Sequence, residues 1–121
     1  MRYLTAPDIL YLHFRLTKKF GGDFKIGNIK VLKKAVKYSH NKDVFPDKFS
    51  KAGALLFAIA RKKPFSSLNT QTAILTAHLF LKINGSNFDL SDPEVISFTK
   101  SCLPKAKLEE INHFLKSKST T

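Results

Sequence analysis

Length and composition first limit what the chain can be. It has 121 residues, of which 43% are hydrophobic and 25% are charged, values typical of a soluble globular domain and not of a disordered chain. The single cysteine, Cys102, excludes an intramolecular disulfide, and no apolar run is long enough to span a bilayer. We therefore expect a cytoplasmic protein with no membrane partner, folded as one domain over residues 1–116 with a frayed tail at 117–121.

Positive charge is concentrated in the first half of the chain. Residues 1–63 contain 15 lysines and arginines against four acidic residues, whereas residues 64–121 contain six against five. Almost all of the formal net charge of +12 therefore belongs to the first half. An uneven positive field of this kind favours polyanions or acidic surfaces as partners, but it says nothing about the fold.

The first helix is predicted from about Pro7 to Phe20. Thr5 provides a capping hydroxyl before it, Asp8 places an acid in its first turn, and Gly21 provides a left-handed end. Its apolar residues fall on one stripe, and its basic residues lie mostly off that stripe. The stripe consists of Ile9, Leu12, Leu16 and Phe20, and the basic residues are Arg15, Lys18 and Lys19.

A second helix, capped by Asn28 and ending near His40, carries four lysines within an arc of about 100°. We call these lysines the lysine ridge; they are Lys30, Lys33, Lys34 and Lys37. Like charges three and four residues apart destabilise a helix by a few tenths of a kcal/mol per pair. That cost favours a binding function, although an ordinary solvated helix face is the alternative.

Two mostly apolar helices follow, at about 49–62 and 70–84, and the second is expected to be capped by Asn69. Because apolar residues surround both helices on nearly all sides, we expect them to be buried. Arg61, Lys62 and Lys63 crowd the end of the first, where cations also favour the helix dipole. Pro64 ends that helix and begins a loop that runs to Leu68.

Two shorter helices are predicted at about 91–101 and 105–116, and no strand pattern is evident. The sequence therefore predicts an all-α fold, a compact bundle of about six helices around the two central buried helices. The four histidines have no metal-ligand spacing, so no metal site is expected. We expect His13 and His78 to be packing residues within helices, and Cys102 to be a small buried side chain.

The order of these signals resembles the Doc ("death on curing") branch of the Fic/Doc family along about residues 2–116. The segments that carry the resemblance are Tyr3-Leu4-Thr5, Leu12-His13, Phe20-Gly21-Gly22, Phe45-Pro46-Asp47, Ala54 through Arg61, Phe80-Leu81 and Asn84-Gly85. Most of these positions are structural. The resemblance therefore implies a Fic/Doc-like helical bundle.

The resemblance also locates the family's catalytic motif, at residues 63–73. In the family a histidine acts as general base, an acidic residue or asparagine four positions later helps to hold metal and phosphate, and in the Doc branch a Lys-Arg pair grips the nucleotide. Here Lys63 stands at the histidine position, Ser67 at the acidic position, and Thr70 and Gln71 at the Lys-Arg pair. Phe65 and Asn69 match the family pattern.

These replacements argue against family-type catalysis. A protonated lysine cannot accept a proton as a histidine does. Losing the acidic residue and two cations removes most of the electrostatic stabilisation that phosphoryl or nucleotidyl transfer needs. We therefore expect no catalytic residue and no cofactor. The backbone N–H groups at the start of the helix at Asn69, with Lys63 beside them, form a hypothetical anion site.

Three functions remain open. The first is a basic binding module for nucleic acid or a nucleoprotein complex, and its expected contact residues are the lysine ridge with Arg61, Lys62 and Lys63. The second, implied by the resemblance, is a toxin-like component of a toxin–antitoxin pair, which transfers phosphate or nucleotide to a translation factor and is held by an acidic antitoxin-like segment. The third is a structural subunit of a larger complex.

Overall fold

Helices account for the regular structure of the protein. The computed structural model describes residues 1–22, 24–25 and 27–120. Its helices are α1 (Ala6–Phe20), α2 (Ile29–Ser39), α3 (Lys48–Lys62), α4 (Asn69–Ile83), α5 (Pro93–Ser97), which continues as a π-helical turn at Phe98–Cys102, and α6 (Leu108–Lys118). The predicted all-α fold is confirmed. Within the described ranges, no helix has the length and apolar character needed to cross a membrane.

Local hydrogen bonds explain where the first three helices begin. Thr5 and Asp8 form a reciprocal capping box before α1, and Asp47 and Ser50 form another before α3. The side chain of Asn28 accepts hydrogen bonds from the amides of the second and third residues of α2, at 3.1 and 3.3 Å. These caps satisfy amides that have no partner within the helix, so the sequence signals and the observed helix starts agree.

The core lies around α3 and α4, which pack against each other. Helices α2 and α6 cover α3, while α1 and the π-helical turn cover α4. Leu56 and Ile59 on α3 and Leu81 on α4 are fully buried. Burying a side chain of this size stabilises the fold by about 1.5–3 kcal/mol. The predicted pair of central buried helices is therefore confirmed.

Helix α3 lies against α6 at Gly53. A Cβ atom built on Gly53 would lie 1.6 Å from Asn112 Oδ1, far inside van der Waals contact. Only glycine therefore fits at this position while Asn112 keeps its rotamer. The sequence shows Gly53 in the middle of a helix, where glycine is unfavourable by about 1 kcal/mol relative to alanine, and the contact with α6 explains this choice.

The C-terminal part of the chain differs from the sequence predictions in three ways. Helix α6 begins at Leu108, not near Lys105, and it extends to Lys118, whose ammonium group lies 2.8 Å from Glu94 Oε2. Thr120, within the segment predicted to be frayed, exchanges two backbone hydrogen bonds with Asn87, and the fraying itself stays a prediction. The last predicted tail residue, Thr121, lies outside the described residues. Cys102 is exposed and not buried, since it ends the π-helical turn.

Candidate functional site

The loop that carries the motif positions joins the two central helices, and two left-handed residues bound it. Lys63 (φ 49°, ψ 63°) ends α3, and Leu68 (φ 58°, ψ 29°) precedes α4. Residues other than glycine rarely adopt this backbone conformation, so tertiary contacts must hold it. The segment before α2 supplies two of them: the Asn28 amide donates to Pro64 O at 2.8 Å, and the Ser66 amide donates to Lys25 O at 3.3 Å.

The side chain of Asn69 holds this loop together through two hydrogen bonds. Its Oδ1 accepts from the Phe65 amide at 3.0 Å, and its Nδ2 donates to the Phe65 carbonyl at 2.9 Å. The prediction that Asn69 caps α4 is wrong, because Asn69 is the first residue of the helix and the capping position is Leu68. The two hydrogen bonds close the loop onto itself and fix the path of the chain from residue 65 to residue 69.

His13 on α1 anchors the same loop from the other side. Its ring is fully buried and stacks on Phe65, with 3.9 Å between centroids and 5° between planes. His13 Nε2 lies 3.0 Å from Ser67 O, which assigns the proton to Nε2 as the hydrogen-bond donor. Burial lowers the pKa of His13 below its ordinary value, so the ring is neutral at pH 7.

The four replaced motif positions differ in their exposure. Lys63 and Gln71 are exposed, Thr70 is partly buried, and the Ser67 hydroxyl is buried with no described hydrogen-bond partner. None of these side chains is a general base or a carboxylate. His13 is the imidazole in contact with the loop, but its burial and its bond to Ser67 O keep it from a bound substrate.

No metal site accompanies the loop. In the part of the chain that the structure describes, no three His, Cys, Asp or Glu side chains lie close enough together to hold a metal ion. The start of α4 receives no hydrogen bond from the side chain of its capping residue, Leu68. The anion site predicted at this helix start stays a prediction.

The lysine ridge lies on the outer surface of α2. Lys30, Lys33, Lys34 and Lys37 are all exposed, while Leu32, Ala35 and Ser39 bury the opposite face of the helix. No described carboxylate lies within ion-pair distance of any of the four lysines. The ridge therefore presents four free ammonium groups to solvent along about 10 Å of helix.

The second predicted basic cluster divides into two parts. Lys62 and Lys63 are exposed at the end of α3. Arg61, by contrast, is partly buried: its guanidinium donates to the carbonyl of Ala106 and lies 4.8 Å from the centroid of the Phe57 ring. Arg61 thus joins α3 to the segment before α6, and only Lys62 and Lys63 are free to add to the basic surface.

A groove of about 760 Å³ runs between α1, the first half of α4, and α5 with its π-helical turn. Its lining is mainly aliphatic, with Leu12 and Leu16 from α1 and Ile74 from α4. Three cations, Arg15, Lys19 and Lys100, also line it. The groove includes two positions of the motif segment, Leu68 and Gln71. Cavities of this size commonly hold ligands or peptide segments.

Sequence reasoning missed two features of the site. It interpreted His13 as a packing residue, which is confirmed, but it did not predict the bond to the motif loop. The pair Leu12-His13 in the family resemblance was the available signal. It also missed the groove, because the α1 stripe was assigned to the core, whereas Leu12 and Leu16 are only partly buried.

Comparison with known proteins agrees with this geometry. The sequence model described as "Fic/DOC family" matches residues 3–81, which include α1 to α4 up to Leu81 and the whole motif loop. A search of curated proteins finds no significant match. The family match thus covers the two central helices and the loop between them, which is the part of the fold that carries the motif positions.

Proposed function

Since the chain belongs to the Fic/DOC family but has a lysine at position 63 and a serine at position 67, we propose that it is a non-catalytic member of the Doc branch. In this proposal it acts in the cytoplasm as a basic binding module for nucleic acid or a nucleoprotein complex. The helical bundle then serves as a scaffold, and the exposed surface of α2 contacts the nucleic acid or nucleoprotein partner.

The lysine ridge is the observation that carries the proposal. Four exposed lysines repeat at spacings of three and four residues, so that four like-charged pairs repel each other along one face. Each pair costs a few tenths of a kcal/mol in helix stability. A polyanion that binds the ridge relieves this repulsion, and each lysine that meets a phosphate releases condensed counterions.

Lys62 and Lys63 extend the basic surface toward the start of α2. The hydrogen bond between the Asn28 amide and Pro64 O joins the start of α2 to the loop that follows Lys63. The exposed cations at both places therefore belong to neighbouring parts of the surface. Lysine outnumbers arginine 18 to 3, which suits point-charge contact with phosphates more than bidentate reading of base edges.

Salt-dependent binding tests this proposal. Fluorescence anisotropy with a labelled duplex is expected to show binding that weakens steeply between about 50 and 200 mM salt and does not depend on sequence. Binding that is absent at low salt, or that stays constant over this range, would contradict the proposal. A neutral polymer of similar length serves as the control for nonspecific adhesion.

Loss of catalysis is tested separately. The purified protein is incubated with labelled ATP, Mg²⁺ and a cell extract, and no transfer of label to any macromolecule is expected, because positions 63, 67, 70 and 71 lack the required groups. Covalent deposition of nucleotide or phosphate would overturn the proposal. A titration with ATP and with inorganic phosphate in the millimolar range tests the predicted anion site at the start of α4.

The groove favours a second candidate function, a toxin-like component held by an acidic segment. Its aliphatic lining and its three cations would suit an amphipathic segment with acidic residues on one side. Expression in a bacterial host tests this candidate. Toxicity that disappears on changing Ser67 or Asn69 would support it, whereas harmless expression of the folded protein would exclude it.

A further inference from the structure

Helix α1 carries aromatic rings on the face that points away from the core. Tyr11 is 59% exposed and Phe14 is 38% exposed. Together with Arg15 and Lys18 they occupy an arc of about 100°, opposite the buried side chain of Ile9. The residues that α1 buries lie on the other side of the helix, among them Ile9 and His13, so neither ring belongs to the buried core. The two rings therefore leave apolar surface in water without adding to the packing.

Cations alternate with these rings along the helix. Arg15 Cζ lies 5.9 Å from the Tyr11 ring centroid, and Lys18 Nζ lies 5.3 Å from that of Phe14. Phe24, which is 44% exposed, packs edge-on against Phe14 with 5.4 Å between centroids and continues the surface beyond the end of α1. None of these cations forms an ion pair with a carboxylate in the described part of the chain.

We propose that this surface, the α1 face, binds single-stranded nucleic acid, with bases stacked on its rings and phosphates held by its cations; the inference rests on the proposed polyanion-binding function. The α1 face consists of Tyr11, Phe14, Arg15, Lys18 and Phe24. Rings interleaved with cations are the features that sequence-tolerant single-strand binding uses. Duplex DNA hides its base faces by stacking, so it leaves the rings without partners.

The geometry also argues against a membrane as the partner. A helix that lies on a membrane inserts its apolar face into the lipid. Ile9 is fully enclosed, and Leu12 and Leu16 line the groove, so the outward arc of α1 presents rings between cations and no continuous aliphatic face. From Tyr11 to Lys18 the helix rises about 10 Å, which corresponds to about three stacked nucleotides at about 3.4 Å each.

The closing experiment compares ring substitutions with a matched control. Tyr11→Leu and Phe14→Leu keep apolar bulk but remove the aromatic face. The control, Val44→Leu, changes an apolar side chain that is 56% exposed in the connection before α3 and lies outside the α1 face and the groove. Thermal melting checks that all three variants fold. The ligands are a labelled twelve-nucleotide oligothymidine, its duplex with oligoadenosine, and heparin, which carries charge but no bases.

The wild type is expected to bind oligothymidine more tightly than the duplex at equal salt. Each ring substitution should weaken oligothymidine binding about tenfold, within the range measured for single stacking contacts, and should leave the salt dependence unchanged. The ring substitutions should leave heparin binding unchanged, and the Val44→Leu variant should bind all ligands as the wild type does. Because the preference for the single strand is measured on the wild type, this part of the test holds even if a variant fails to fold.

Two results overturn the inference while the proposed function stands. One is unchanged oligothymidine affinity in both ring variants. The other is a duplex preference in the wild type. Ring-dependent binding to vesicles of phosphatidylcholine and phosphatidylglycerol, without ring-dependent oligothymidine binding, would instead assign the α1 face to lipid. Failure of the wild type to bind oligothymidine, duplex and heparin alike would remove both the inference and the proposed function.

Discussion

Neutralising the lysine ridge should remove a definite part of the salt dependence of nucleic-acid binding. The four ridge residues are changed together in Lys30→Gln, Lys33→Gln, Lys34→Gln and Lys37→Gln. Between the first and last of these lysines the helix rises about 10 Å. Along a duplex with one phosphate per about 3.4 Å of axis on each strand, this length matches about three phosphates of one strand. With a slope of about 0.9 per phosphate, the ridge contributes about 2.7 to the salt slope. Raising salt from about 50 to 200 mM should then cost about 40-fold in affinity through the ridge alone.

The assay is anisotropy with a labelled duplex, titrated at several salt concentrations. The matched control changes four exposed lysines outside the ridge to glutamine, namely Lys82, Lys100, Lys105 and Lys116. Both variants carry a formal net charge of +8, four fewer than the natural +12. The ridge variant should lose most of the slope and the control only a little. Equal slopes in the two variants would refute the reasoning, because net charge and not the ridge would then explain binding.

Three further predictions concern the fold and the motif loop. Gly53→Ala should change the free energy of unfolding in urea by less than about 1 kcal/mol, because the Asn112 side chain can turn away and the helix gains alanine's propensity, whereas Gly53→Val should lower it by about 1–3 kcal/mol because its methyl groups meet the backbone of α6; equal effects of the two variants would contradict this. Asn69→Ala should cost about 1–3 kcal/mol by removing both hydrogen bonds to Phe65, and a melting temperature equal to the wild type would exclude that role. Burial lowers the pKa of His13 from 6.5, so the unfolded chain takes up a proton at a higher pH than the folded protein does. The free energy of unfolding should therefore fall as the pH drops below about 6.5. His13→Gln should make this fall shallower, and parallel curves of unfolding free energy against pH for the variant and the wild type would disprove the contribution of His13.

The helices could be predicted because their signals are local. The capping residues Thr5 and Asn28 act on amides two or three positions away, so the sequence contains the whole interaction. The predicted start of α6 was too early. The capping residue is Lys107, and lysine is not a typical cap, so the sequence contains no standard signal for a start at Leu108. The bridge between Thr120 and Asn87 could not be predicted, because its two residues are distant in sequence.

The site was harder to predict than the fold because one of its local contacts departs from the usual helix start and others join distant parts of the chain. The role of Asn69 was misassigned, since an asparagine at a helix start is usually a cap, while here its side chain reaches back to Phe65. The inward orientation of Arg61 depends on the carbonyl of Ala106, 45 residues later in the chain. Periodicity alone places a side chain on a helix face, but it does not say which neighbouring segment covers that face.

The contacts within the loop show which motif positions support the fold. Two of the retained motif residues, Phe65 and Asn69, both hold the loop, since Phe65 stacks on His13 and the side chain of Asn69 bonds the loop backbone. Lys63 and Gln71, which stand at positions of chemical groups in the family motif, are exposed, Gln71 in the lining of the groove, and neither side chain has a described hydrogen bond to the loop. Substitution at exposed positions of this kind costs little stability. Under the proposed non-catalytic function, the replacements at these two positions would therefore remove catalytic groups and leave the scaffold intact.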